Sequence, residues 1–206
     1  MVGIEFFAGC SQITQAFIKK GGLCYSLDFV QLKNERKIDF LTDFLAFDYK
    51  QFSAAHIDFL YFGLPCETYS KASGGLHWCK NEILTTDALA AYLYFLRMVE
   101  IIKYFDKAVF YIENPSGAVC SKSFFLDFVK DYQAYIYTLS LFSFGFCTQK
   151  KTNIITNSSF LMITPDTYRV NGRFQKQKFD NLSLKQRQKY PVHFATFIVE
   201  HYFNSI

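Results

Sequence analysis

Short apolar segments alternate with helical patterns along this chain, and this alternation constrains the fold more than any other feature of the sequence. Four apolar runs of strand length lie at 2–7, 23–27, 57–62 and 108–112. Helical patterns follow the first, the third and the fourth of these runs. Strands that alternate with helices predict a parallel, doubly wound sheet in which the carboxyl ends of the strands share one edge.

The same patterns predict the rest of the chain. The longest predicted helix lies at 84–105, with Thr85 or Thr86 as its N-cap. A closing helix is expected at 190–203, with Pro191 in its first turn. The shorter predicted elements are a third strand at 38–41, a helix at 123–135, and strands at 136–144, 153–156 and 160–163. Paired glycines make the stretch 71–78 either a lid beside Cys66 or a plain surface connection.

Five residues with useful chemistry stand at predicted strand ends, namely Gly9, Asp28, Asp43, Cys66 and Glu113. A small-residue turn before a helix lets a ligand approach free backbone amides, and an acidic residue about twenty positions later is the usual partner of ribose hydroxyls. A nucleotide-type cofactor beside a thiol and a carboxyl group suggests transfer chemistry with a transient covalent bond to the thiol. The structural alternatives are a core cysteine at 66 and a capping or turn glutamate at 113.

Composition narrows the class of protein. With 206 residues, 50% of them hydrophobic and 19% charged, the chain is expected to form one globular domain, 1–206. We find no convincing secretory or membrane-spanning segment, and the six cysteines show no Cys-x-x-Cys spacing. These features predict a reduced protein of the cytoplasm that contacts no membrane. His77 and Cys79 lack a second pair of ligands, so no metal is expected.

Positive charge is concentrated near the end of the chain. Residues 166–206 contain seven lysines and arginines against three acidic residues, whereas the rest of the chain is balanced. This basic stretch is either a solvated loop and helix face or a surface that contacts phosphates.

The order of these motifs resembles that of the DNA (cytosine-5)-methyltransferase family, particularly its compact members from viruses, including phage, and from mobile elements. Phe7-Ala8-Gly9 is similar to the family's first motif. Pro65-Cys66-Glu67-Thr68-Tyr69-Ser70 resembles the nucleophile motif Pro-Cys-Gln-x-Phe-Ser, and Glu113-Asn114-Pro115 resembles Glu-Asn-Val. Residues 149–153 stand where the family has Gln-x-Arg-x-Arg, and 190–200 resembles its closing helix.

The resemblance implies a Rossmann-like class I α/β methyltransferase fold, a mostly parallel sheet with helices on both faces, and S-adenosylmethionine as cofactor. Phe7 would pack against the adenine, Asp28 would bind the ribose hydroxyls, and Asp43 would bind the adenine amino group. The other residues expected at the cofactor are Gly9, Ser11, Gly63 and Pro65.

The implied reaction is methylation of carbon 5 of cytosine in DNA. The Cys66 thiolate would add to carbon 6 and turn the ring into an enamine, while Glu113 would act as the acid at ring nitrogen 3. The base must leave the duplex to reach these groups, and phosphate contacts would offset that cost. The residues expected to contact nucleic acid are Ser70, Lys150, Lys151 and Arg173.

Three departures from the family pattern carry expectations of their own. Glu67 replaces a glutamine and adds negative charge near the nucleophile. Lys151 and Asn153 stand at the two arginine positions, which removes a planar fork of donors. A short basic segment, 164–189, stands in place of a target-recognition domain. We therefore expect relaxed or very short sequence specificity, or a second protein subunit that supplies recognition.

Two alternatives to an active DNA methyltransferase stay open. One is a catalytically weak or inactive subunit that binds nucleic acid beside a complete enzyme, and the other is the same chemistry on RNA or on an unpaired cytosine. An adenine-amino methyltransferase is disfavoured, because no Asp/Asn-Pro-Pro-aromatic run follows the strand at 57–62.

Overall fold

The structure is a computed structural model that describes residues 1–69, 73, 75–117, 119–146, 150–159 and 190–206. The predicted strand at 160–163 and the basic segment 164–189 lie outside the described residues. Among those described, no helix combines the length and the apolar character needed to cross a bilayer.

Seven strands form one mixed sheet. In chain order they are β1 (Val2–Phe6), β2 (Leu23–Asp28), β3 (Phe40–Leu41), β4 (Phe59–Gly63), β7 (Val109–Pro115), β8 (Tyr135–Ser140) and β9 (Lys151–Thr156), and β5 (Trp78–Cys79) pairs with β6 (Glu82–Ile83) in a separate hairpin. The spatial order is β3-β2-β1-β4-β7-β9-β8, in which the first five strands are parallel and β9 is antiparallel to both of its neighbours.

Helices cover both faces of the sheet. On one face, α2 (Thr86–Tyr104) and α3 (Ser123–Asp131) bury a core that includes Phe62 and Ile112. On the other face, α1 (Gln12–Lys19) and α4 (Val192–Ser205) bury Tyr61 and Tyr111. Successive strand residues point to opposite faces, so odd positions of β4 and β7 lie under α1 and α4. The expected mostly parallel α/β sheet with helices on both faces is confirmed.

Some predicted boundaries were wrong for identifiable reasons. The strand predicted at 136–144 ends at Ser140, because Leu141–Phe144 forms a 3₁₀ turn that is closed by Gly145 in the left-handed region. The helix predicted at 123–135 stops at Asp131, and the left-handed backbone of Gln133 (φ 50°) ends it. Pro191 is the N-cap residue of α4 and does not lie in its first turn.

Candidate active site

A cavity of about 530 Å³ lies at the carboxyl ends of β1, β4 and β7. Its walls come from the loops that follow β1, β2 and β4, together with Tyr94 on α2, Lys150 and Tyr190. The strand order reverses between β1 and β4, which is where open α/β sheets bind ligands. The predicted site residues that line the cavity are Phe7, Gly9, Asp28, Gly63, Pro65, Cys66, Glu113 and Lys150.

The turn after β1 has an unusual backbone. Phe7, Gly9 and Ser11 all have positive φ angles, of 58°, 51° and 51°. Only glycine adopts this region without a penalty, so Phe7 and Ser11 store backbone strain, which in proteins concentrates at functional sites. The turn is held from β2, because the Gly9 N–H donates to Asp28 Oδ2 at 2.8 Å.

Asp28 closes the side of the cavity next to this turn. Its second oxygen, Oδ1, accepts the N–H of Val30 at 3.1 Å. Each carboxylate oxygen has a further lone pair, so both can still accept hydroxyl groups from a ligand. Apolar walls from Phe29, Val30 and the ring of Phe7 adjoin this carboxylate. Apolar and aromatic side chains beside a carboxylate are groups that can bind a nucleoside.

Two of the expected cofactor residues do not line the cavity. Ser11 is fully buried at the left-handed N-cap position of α1. Asp43 is exposed in the loop after β3, where its Oδ1 accepts the N–H of Leu45 at 2.7 Å. Its charge still reaches the cavity wall, since burial and the charge of Asp43 together raise the pKa of Tyr94. For Asp43, a contact with the ligand therefore stays a prediction.

Cys66 is half-buried, three residues beyond the end of β4. Its loop is fixed at both sides: the Tyr69 N–H donates to the Cys66 carbonyl at 3.1 Å, and Asn114 Nδ2 lies 3.4 Å from the carbonyl oxygen of Leu64. Asn114 belongs to β7, next to Glu113. The two sequence motifs around Cys66 and Glu113 are therefore in direct contact.

The surroundings of Cys66 oppose ionisation of its thiol. Burial raises the pKa of the Cys66 thiol to about 11. The positive charge of Lys150 lowers this pKa, whereas the negative charges of Glu67 and Glu113 raise it. The thiolate, which is the nucleophilic form, is therefore a minor species at neutral pH.

Glu113 lies near the end of β7, directly opposite Gly63 of β4 in the parallel register. Its side chain is buried, and both carboxylate oxygens accept hydrogen bonds. Thr152 Oγ1 donates to Oε1, and Tyr190 Oη donates to Oε2 at 2.8 Å. The carboxyl group is thus held between β9 and the residue that precedes α4.

The residues at the arginine positions behave differently from the sequence-based alignment. Lys151 is exposed, and Asn153 packs away from the cavity, where it donates to Cys120 Sγ and accepts from Thr138 Oγ1. Lys150 and Thr152 are the residues that face Cys66 and Glu113. The two positions that face the site are therefore 150 and 152, each one residue before the position that the sequence alignment predicted. Two further expected nucleic-acid contacts, Ser70 and Arg173, lie outside the described residues.

Several cavity residues were not predicted. Tyr94, Cys10 and Tyr190 line the cavity, and Thr152 binds Glu113 from β9. The sequence placed Tyr190 at the start of the closing helix, whereas the structure places it directly before Pro191, the N-cap residue of α4. Its sequence signals were the neighbouring proline and its place in the stretch 190–200, and neither of them pointed to Glu113.

No protein-family model and no curated protein matches the sequence. Among solved structures, the Entamoeba histolytica methyltransferase EhMeth matches with a TM-score of 0.57 and 14% identity, over 86% of this chain and 57% of that one. The S. pombe Dnmt2 methyltransferase matches with a TM-score of 0.53 and 14% identity, over 76% and 50%.

A candidate DNA modification methyltransferase encoded within an E. coli prophage matches with a TM-score of 0.51 and 11% identity, over 76% of this chain and 46% of that one. The chain spans about half the length of these structures. At such low identity the likeness establishes the fold. This fold is the Rossmann-like α/β fold of S-adenosylmethionine-dependent methyltransferases.

Proposed function

We propose that this chain is a DNA cytosine-5 methyltransferase that transfers a methyl group from S-adenosylmethionine to carbon 5 of cytosine through a covalent bond to Cys66. The observation that carries the proposal is that Cys66 and Glu113 line the same cavity as Asp28 and the turn after β1. A nucleophile, Cys66, and an acid, Glu113, thus lie beside the part of the cavity that would bind a nucleoside. The fold shared with known methyltransferases supports the same reaction.

Phe7, Gly9 and Asp28 would hold the cofactor, which when bound supplies an electrophilic methyl group. Phe29 and Val30 would add apolar contacts to its adenine. The Asp28 carboxylate keeps acceptor sites for ribose hydroxyls, because each of its oxygens accepts one backbone N–H. The Asp28 carboxylate and the apolar side chains of the cavity are therefore the groups that fit this cofactor.

The protein's own residues would carry the steps on cytosine. The Cys66 sulfur forms a bond to carbon 6, and the ring electrons move toward nitrogen 3, where the Glu113 carboxylic acid supplies a proton. Carbon 5 then bears enough electron density to take the methyl group. A general base then takes the carbon 5 proton, the bond between carbon 6 and sulfur breaks to expel the Cys66 thiolate as the double bond re-forms, and the proton on nitrogen 3 returns to Glu113. Lys150, which lowers the pKa of Cys66, would favour the thiolate during addition.

A duplex that contains 5-fluorocytosine in many sequence contexts tests this proposal. Fluorine at carbon 5 cannot leave as a proton does, so an enzyme of this mechanism stays bound to the DNA after methyl transfer. We expect the wild-type protein to form a band of reduced mobility on a denaturing gel when S-adenosylmethionine is present. Cys66→Ala should form none, whereas Cys79→Ala, which removes an exposed thiol on β5, should form it normally.

The outcomes separate the proposal from its alternatives. An adduct that persists in Cys66→Ala would rule out Cys66 as the nucleophile. Cofactor binding without any adduct, in every context, would favour the non-catalytic subunit. Single-stranded DNA and RNA substrates with the same modified base belong in the same experiment, since faster trapping on RNA would reassign the substrate class.

A further inference from the structure

The carboxyl group of Glu113 is both buried and fixed in orientation by two hydrogen bonds. Glu113 is only 3% exposed, and each of its oxygens accepts one hydroxyl hydrogen bond, from Thr152 and from Tyr190. The two donors come from elements that are far apart in the chain, β9 and the residue before α4. Two donors on different oxygens fix the plane of a carboxyl group.

Gly63 makes the contact between Tyr190 and Glu113 possible. It is the register partner of Glu113, and a Cβ atom at position 63 would lie 2.8 Å from the hydroxyl oxygen of Tyr190. Any side chain at position 63 would therefore displace that hydroxyl from its place above the strand. Because Gly63 has no Cβ atom, the Tyr190 hydroxyl has room beside Glu113.

The ring of Tyr190 is oriented by its own neighbours. It packs edge-on against Tyr61, with ring centroids 5.9 Å apart, and against Phe194 of α4 at 5.4 Å. Burial and the charge of Glu113 raise the pKa of Tyr190 well above its ordinary value, so the hydroxyl stays protonated and remains a donor. Tyr190 also lines the cavity that contains Cys66.

We propose that Tyr190 is a positioning residue, which holds the Glu113 carboxyl group in the orientation that meets ring nitrogen 3 of the flipped cytosine. This inference rests on the proposed function and assigns a specific role to a residue that the sequence placed only at the start of the predicted closing helix. Without the hydroxyl, Glu113 keeps only the Thr152 contact and can rotate. Activation of the ring then becomes slower, although the thiol and the cofactor residues are unchanged.

Tyr190→Phe tests this role, because it removes one oxygen atom and keeps the ring. At saturating S-adenosylmethionine and DNA, we expect the single-turnover rate of 5-fluorocytosine adduct formation to fall about ten- to hundredfold, as for loss of a hydrogen bond to a charged group. The dissociation constant of the cofactor should stay within about twofold, a change smaller than one ordinary hydrogen bond gives. Tyr135→Phe, at an exposed position on β8, should match the wild type.

A second substrate distinguishes positioning from a general loss of structure. Pyrimidin-2-one in place of cytosine lacks the electron-donating amino group, so its carbon 6 accepts a thiolate with less help from an acid. We expect the defect of Tyr190→Phe to shrink markedly on this base. An equal defect on both bases would mean a structural role and would overturn the inference.

Gly63→Ala provides an independent variant, since it displaces the hydroxyl without removing it. We expect Gly63→Ala to slow adduct formation, and the double variant with Tyr190→Phe to be no slower than the slower single variant, because a phenylalanine has no oxygen to displace. Fully additive losses would contradict the proposed contact. If Tyr190→Phe reacts at the wild-type rate, this inference alone fails; if the wild-type protein forms no adduct on either base, the proposed function fails with it.

Discussion

At the scale of the residue, the thiol of Cys66 and the charges around it set the reactivity of the site. Burial raises the pKa of Cys66 to about 11, and Lys150 and Glu67 act on it in opposite directions. At pH values below this pKa, alkylation of Cys66 should therefore become about tenfold faster for each unit by which the pH rises, because the thiolate is the form that reacts.

Two charge-removing variants should shift this profile in opposite directions. Glu67→Gln removes a negative charge, lowers the pKa of Cys66 and should speed alkylation at a fixed neutral pH about two- to fivefold. Lys150→Gln removes a positive charge and should slow it by a similar factor. Mass spectrometry of the Cys66 peptide after iodoacetamide treatment measures both rates, and equal rates in the two variants would contradict this electrostatic account.

Glu5 gives a prediction for stability. It is fully buried on β1, where its Oε2 accepts from the backbone and the hydroxyl of Thr14, and burial raises its pKa from 4.5 to about 7. Between those values the unfolded chain loses the proton before the folded chain does. The free energy of unfolding should therefore decrease as pH rises from about 4.5 to about 7, by about 3 kcal/mol for this group alone.

Glu5→Gln should abolish this dependence, since an amide does not titrate and its oxygen can still accept from Thr14. In urea unfolding, we expect the variant to be more stable than the wild type above pH 7 by up to about 3 kcal/mol, with little difference near the lower end of the range. Glu82→Gln, at an exposed position on β6, serves as the control. A stability gain that is equal at all pH values would refute the titration of Glu5 as its cause.

The residue scale also explains which site residues the sequence could predict. Cys66 and Glu113 stand in short local patterns, next to Pro65 and Asn114, and such patterns can be found without a structure. Tyr190 meets Glu113 across 77 positions of the chain, and only because Gly63 has no side chain. No local pattern records a contact of that kind.

At the scale of the element, α2 depends on a cap that also holds the neighbouring hairpin. Thr85 Oγ1 accepts the N–H of Ala88 at 3.2 Å and lies 2.8 Å from Nδ1 of His77. The sequence predicted a cap at Thr85 or Thr86, and the structure selects Thr85. Strand directions were harder to predict, since an apolar pattern such as that of β9 fits a parallel or an antiparallel neighbour equally well.

Thr85→Ala should lower the free energy of unfolding by about 1 kcal/mol, the usual cost of a lost N-cap. Thr85→Ser keeps the hydroxyl, so its free energy of unfolding should fall by only a small part of that amount. Thr86→Ala, one position along the same helix, should leave stability nearly unchanged, because its side chain is exposed. Denaturant unfolding of the three variants measures the differences, and equal losses at 85 and 86 would argue against the cap.

At the scale of the whole molecule, the chain spans about half the length of the methyltransferases that share its fold. The described residues build the cavity from the loops after β1, β2 and β4, from β7 and α2, and from Lys150 and Tyr190. The position of the cavity was predictable from the alternation of strands and helices, because every parallel strand brings its carboxyl end to the same edge of the sheet. The contributions of Tyr94 and Tyr190 to the cavity depend on packing between distant parts of the chain, so they could not be predicted from the sequence.

Relaxed sequence specificity is the prediction that belongs to this scale. Each direct contact with a base edge gives about 1–3 kcal/mol of discrimination, and a small recognition surface offers few of them. On a library with random bases around one cytosine, we expect no flanking base to change the methylation rate by more than about tenfold. Sequencing after chemical conversion of the unmethylated cytosines measures the methylation rate in each context. Methylation confined to one strict context several bases long would contradict relaxed specificity.

The hairpin of β5 and β6 offers an optical probe of the same site. Trp78 is the single tryptophan of the chain, and it stacks on Tyr69 at 5.3 Å with Lys122 Nζ 4.6 Å from its ring. Tyr69 is three residues from Cys66 and belongs to the same loop. A displacement of that loop on binding DNA or cofactor would separate the two rings and change the intrinsic fluorescence of the unmodified protein. The chain therefore carries its own emission signal for loop movement, which can be followed in real time without a label.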